Sequence, residues 1–135
     1  MKALFDAINS EYLNSTTAAA LRALTATSTS LFHGRAPQET AHPFIEISMV
    51  TSGIDMSNTS DFREPLITFD VWDDDRSPVA VNNIGDAIVS LYRDNLLSVT
   101  GYTTVRADIT DESELEQPDA KGWNYQVNIQ YMLGC

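Results

Sequence analysis

Three consecutive carboxylates, Asp73, Asp74 and Asp75, form the densest cluster of potential ligand groups in the sequence. Their chemistry would be that of a calcium or magnesium site. A calcium loop, however, spaces its acids at alternate positions and carries a turn glycine, and three adjacent acids cannot all point inward. An acidic turn at a helix N-terminus accounts for them better, because the positive end of the helix dipole favours negative charge there. His33 and His42 flank a Gly/Pro loop, and neither has a Cys or a second His at ligand spacing, which argues against zinc. Cys135 is the single cysteine and lacks the fixed basic neighbour of a catalytic thiolate. The sequence contains no Gly-x-Ser-x-Gly elbow, no phosphate loop and no Gly-x-Gly-x-x-Gly after a strand. No cofactor, metal or catalytic residue is therefore expected. Trp72 and Trp123 read as core or sheet-edge anchors, and the acids after Ile109 as a solvated segment.

These residues must be positioned by the rest of the chain, and the stretch Phe62–Leu97 organises it. In Pro65–Trp72, Ile67, Phe69 and Val71 alternate onto one face of a strand, while Thr68 and Asp70 share the other with Leu66 and Trp72. Ser77 then suits an N-cap and Pro78 the first helical position. Val81, Ile84, Ala87, Ile88 and Leu91 recur at helical spacing, opposite Asn82, Asn83, Asp86, Ser90 and Asp94. The spacing of Leu4, Phe5, Ile8 and Tyr12 predicts a helix over 2–13, and 18–24 a second short one. Residues 31–39 read as a short extended piece and a loop, 44–50 as a strand, and 51–61, rich in turn formers, as a long loop. Thr103 to Thr110 alternates as a half-buried strand. Asp111 to Lys121 reads as an acidic loop or hairpin tip with Pro118 closing off strand geometry, and Tyr125, Val127, Ile129 and Tyr131 mark the last strand. The fold class is α+β: a small antiparallel β-sheet of about four strands, with the long helix and the N-terminal helix packed on one face.

At 135 residues with 43% hydrophobic content, the chain fits a single domain, 1–135. No apolar run approaches the ~20 residues that cross a bilayer, and the opening residues reach an acid too early for a signal peptide. A cytoplasmic protein without an intrachain disulfide is the expectation. The net charge of −11 disfavours gripping nucleic acid or anionic lipid. It suits a basic protein partner, or a surface past which DNA moves without sticking.

The ordered series ALFDAINSEYL, LFHGRAPQETAHPFIEISMV, ITFDVWDDDRSPVAVNNIGDAIVSLYRDNL and WNYQVNIQYML resembles the tail-terminator, or tail-completion, proteins of long-tailed (siphovirus-type) bacteriophages. The likeness is one of architecture over nearly the whole chain: a strand ending in Asp-x-Trp, a short turn and a long helix sit mid-chain. The acidic turn and the acidic segment after Ile109 stand outside that pattern. The resemblance implies a non-enzymatic structural protein of the virion tail and neck, assembled in the host cytoplasm. It implies a ring homo-oligomer, a hexamer, that caps the tail tube protein, ends its polymerisation and meets the head-connector or stopper protein, while DNA passes without specific binding. On that reading the partner or channel contacts are Asp70, Trp72, Asp73, Asp74, Asp75, Arg76, Asp55 and Arg35. A head-closure or connector adaptor of the neck is the neighbouring alternative. A cation-dependent binding module built on Asp73–Asp75, or a small hydrolase or isomerase using His33 or His42 as base, belongs to other classes.

Overall fold

The structure, a computed structural model, describes residues 2–27, 29–57, 60–94, 97–117 and 122–134, with side chains at 51–57, 60–62, 94 and 104 outside the description. Two helices open the chain, α1 (Lys2–Asn14) and α2 (Ala19–Leu24), followed by β1 (Leu31–His33). The hairpin β2 (Phe44–Ser57) and β3 (Ser60–Asp73) leads into α3 (Val79–Asp94), and the hairpin β4 (Thr104–Glu116) and β5 (Trp123–Gly134) closes the fold. The five strands lie in the order β1-β2-β3-β5-β4. Every pairing is antiparallel except that of β1 with β2.

The α+β class and the one-sided helical layer agree with the sequence. Ile45, Ile47, Ile67, Phe69, Val71, Val127, Ile129 and Tyr131 project from one sheet face and are essentially inaccessible. Against them pack Leu4, Ile8 and Tyr12 of α1, Leu21 of α2, and Val81, Ile84, Ile88 and Leu91 of α3. Burying each such side chain contributes about 1.5–3 kcal/mol. Tyr92 adds a contact the apolar pattern did not single out. Its ring lies 5.0 Å from that of Phe69 and its hydroxyl donates to the Ile8 carbonyl at 3.0 Å, tying α3 to α1 across the sheet.

Local signals fix the helix ends. The Ser77 hydroxyl accepts from the Val79 amide at 3.3 Å, as an N-cap should. Arg22 of α2 donates to the carbonyls of Tyr12 and Ser15 at 2.6 and 2.9 Å, satisfying acceptors that α1 leaves open at its C-terminal end.

Three expectations need correction. The sheet has five strands rather than about four, because Leu31–His33 pairs in parallel with Ile45–Ile47. Residues 51–57 and 60–61 are not a loop; they extend the β2–β3 hairpin, with pairing from Thr51↔Leu66 to Ser57↔Ser60. Cross-strand hydrogen bonding there overrides the weak strand propensity of Ser, Gly and Asp. Likewise Asp111–Glu116 is strand rather than loop, paired from Asp111↔Asn128 to Glu116↔Trp123. Pro118 lies outside the described residues, as does Cys135. A register shift interrupts β2 between Met49 and Thr51, and another interrupts β4 between Ile109 and Asp111. Each adds one residue, and in β4 this exchanges the faces that the side chains after Thr110 occupy.

Candidate functional site

The sheet face opposite the helices carries the functional candidates. Its side chains alternate with the core set, so the rows Glu46–Asp70–Gln126 and Ser48–Thr68–Asn128 run across it. The rows are stitched by side-chain hydrogen bonds. Thr68 donates to Asn128 Oδ1 at 2.6 Å, and Gln126 donates to Asp70 Oδ1 at 3.1 Å. Asn124 donates to the same Asp70 oxygen at 3.4 Å and to the Val71 carbonyl at 3.2 Å, while Gln130 donates to the Glu64 carbonyl at 2.6 Å. Such a network presents carboxylate and amide oxygens on a stiff support and offers no nucleophile in an enclosed cavity.

One end of this face is aromatic. Phe44 stands edge-on to Phe32 with ring centroids 6.2 Å apart, and lies 5.0 Å from His42. Trp72 occupies the strand position opposite Phe44, half-buried, and its Nε1–H is shielded from solvent without a hydrogen-bond partner among the described residues. His42 Nδ1 is 3.6 Å from Asp74 Oδ2 at the exposed rim.

Beyond Trp72 the acidic turn begins. Asp73 accepts from the Asp74 amide at 2.9 Å and Asp75 from the Arg76 amide at 2.7 Å, so two of the three carboxylates are engaged in folding the turn itself. Partial burial pushes the Asp73 carboxyl above its ordinary value, with the negative charges of Asp74 and Asp75 adding to the shift and the Asp74 amide opposing it. Among the described residues no three His, Cys, Asp or Glu side chains converge as a metal site.

The structure joins this turn to the second acidic stretch. Trp123 donates through Nε1 to the Arg76 carbonyl at 2.8 Å, Asn82 of α3 donates to Glu114, and the Tyr125 hydroxyl donates to Glu112 at 2.9 Å. Burial first, then this bond to Glu112, pushes the Tyr125 hydroxyl up to about 12. Asp73–Asp75 and Glu112, Glu114 and Glu116 therefore gather at one end of the molecule. Reading the two runs as independent solvated segments missed this. The extra residue at Thr110 is what turns Glu112 and Glu114 toward α3, and alternation counted from Thr103 could not anticipate it.

Of the contact residues named from sequence, Asp70, Trp72 and Asp73–Arg76 adjoin one another at the end of β3. Arg35 is exposed in the loop after β1, which is held by the Ala36 amide donating to Glu46 at 2.5 Å. Asp55 is paired in backbone register with Phe62 toward the hairpin tip; its side chain lies outside the described residues. His33 stacks on Phe5 with centroids 3.7 Å apart and lines a pocket of about 260 Å³ with Asp6 and Asn9. Asp6 is engaged by Lys2 at 2.6 Å, and the pocket lining holds no Ser, Thr, Cys or Lys to serve as nucleophile. Among the described residues no helix is long and apolar enough to cross a membrane.

The model of the tail completion protein gp17 family matches residues 16–134. The chain belongs to that family. It is a structural protein of the virion tail. Among solved structures, a chain in the virion of a native gene transfer agent particle shares the fold, with a TM-score of 0.76 at 12% identity, over 87% of this chain and 86% of that one. No curated protein matches the chain. The α+β architecture expected from the resemblance is present in the structure.

Proposed function

We propose that this tail completion protein is the tail terminator: it caps the end of the tail tube, stops further addition of tube subunits and presents the surface that the head connector meets. The family match over residues 16–134 carries this reading. The likeness to a chain of a gene transfer agent virion is consistent with it. A cap for a cylindrical tube is most economically a closed ring of identical copies in head-to-tail contact, since such contacts close without leaving open interfaces. Six copies would match a six-fold tube. The net charge of −11 favours passage of DNA through such a ring over retention, because phosphates are repelled from an acidic lining.

The test is the tail itself. Particles made without the protein should show tails of scattered, extended length that fail to join heads. Uniform tails joined normally would overturn the reading. Locating the protein on intact particles separates this role from that of a connector adaptor, since a terminator sits on the tail side of the joint and an adaptor on the head side.

A further inference from the structure

We infer that copies of this chain join by antiparallel pairing of the lower half of β2 in one copy with the first half of β4 in the next. The inference rests on the ring reading above and names the surface that closes it. The sheet order places β2 and β4 toward opposite edges. β1 covers β2 only from Ile45 to Ile47, with further bonds from the Ile45 amide to the Ser30 carbonyl and from the Gly34 amide to the Ile47 carbonyl. Below that point no described strand lies on the outer edge of β2, and none lies on the outer edge of β4.

Three features make these edges complementary. First, direction: β2 and β3 are antiparallel, as are β3 and β5, and β5 and β4, so β4 runs opposite to β2. Copies related by rotation about an axis along the strands therefore bring the two edges together antiparallel, which is the stronger arrangement. Second, height: across the paired strands Thr51 is level with Leu66, Gln130 and Asp108, and Ile54 is level with Arg63, Leu133 and Val105. Two copies at one height thus set 51 against 108 and 54 against 105, a consistent antiparallel register. Third, protection: edge strands are normally guarded by charge, bulges or cover. The upper part of β4 carries Asp111, Glu112, Glu114 and Glu116, and level with Glu112 and Glu114 β2 is covered by β1. Below the two register shifts the guards are gone. Thr51–Ile54 has no charge, and in the first half of β4 Arg106 and Asp108 offset each other at 3.3 Å. Met49 and Val50, 42% and 62% exposed, flank the start of the open edge.

Closure on these edges curves the sheet. The helical layer needs the greater circumference and goes outside, so Thr68, Asp70, Gln126, Asn128 and Gln130 line the channel.

The test uses assembled particles carrying Thr51→Cys with Asp108→Cys, in a Cys135→Ser background. Oxidation should give a ladder of covalent multimers on a non-reducing gel. Either single variant should give none, and Glu46→Cys with Ser113→Cys, level with each other but with β1 interposed, should give none either. Incorporation of the 51/108 protein without a ladder would overturn the pairing while leaving the capping role standing. Hydrogen exchange on wild-type protein, free and in particles, gives a readout independent of the variants and of small staggers. Amides of both 48–55 and 104–109 should slow on assembly. Slowing of 48–55 alone would place another chain on that edge and sink the proposal, as would no slowing in either.

Discussion

Gly85 lies in the middle of α3, where a β-carbon would overlap the Tyr125 ring of β5. Ala is the better helix former by about 1 kcal/mol, so propensity alone favours Gly85→Ala. The closeness of helix to sheet decides otherwise: forcing a methyl into a packed contact costs about 1–3 kcal/mol, and the bond from Tyr125 to Glu112 limits how far the ring can retreat. Gly85→Ala is expected to lower stability by about 1 kcal/mol in urea denaturation. Tyr125 itself gives a pH signature. Its hydroxyl is raised from 10.0 to about 12, so the folded state holds a proton that the unfolded chain releases between those values. Stability therefore falls as pH rises through that window, and the contribution is intact below it. Tyr125→Phe should reduce the alkaline fall in melting temperature. Buried Tyr92 and Tyr131 are also pushed up, so part of the fall persists. At this scale, the reason for Gly85 is not in the helical spacing of α3, because it lies in the Tyr125 ring on β5.

The strand–turn–helix unit of β3 and α3 divides into a folding side and an outward side. Phe69 is wholly buried against Tyr92, and placing a carboxylate there leaves an unpaired charge in the core. Phe69→Asp should cost at least ~4 kcal/mol and unfold the domain. Neutralising Asp73, Asp74 and Asp75 together to Asn should leave it folded, with a change within about 1 kcal/mol from the lost helix-dipole attraction. The Asp73 shift points the same way. A raised carboxyl loses stability as pH climbs through its folded value, so removing that charge relieves a strain at neutral pH. Circular dichroism melts of the two variants check the division; a triple variant as unfolded as Phe69→Asp would refute it. Elements with strong periodicity, α1, α3 and β5, were legible because a single buried face sets their pattern. The extensions of β2 and β4 were not, since Ser, Gly, Asp and Glu have weak strand propensity and are held as strand there by backbone pairing across each hairpin.

Over the whole molecule, composition disclosed the acidity but not where it gathers. The joining of Asp73–Asp75 to Glu112 and Glu114 depends on Trp123 reaching Arg76 and Asn82 reaching Glu114, contacts between segments that alternation treats separately. Family membership was legible because the ordered series of elements spans the residues that the family model matches, 16–134. The two register shifts carry one more consequence. Met49, Ile67, Ile129 and Ile109 form a single row, and each outer strand inserts its extra residue immediately after it. They act like matched frameshifts, since the central strands keep their reading frame while both flanks change phase at the same line. A relative lacking only one insertion would have its two flanks out of phase with each other. Length changes in β2 and β4 should therefore be inherited together.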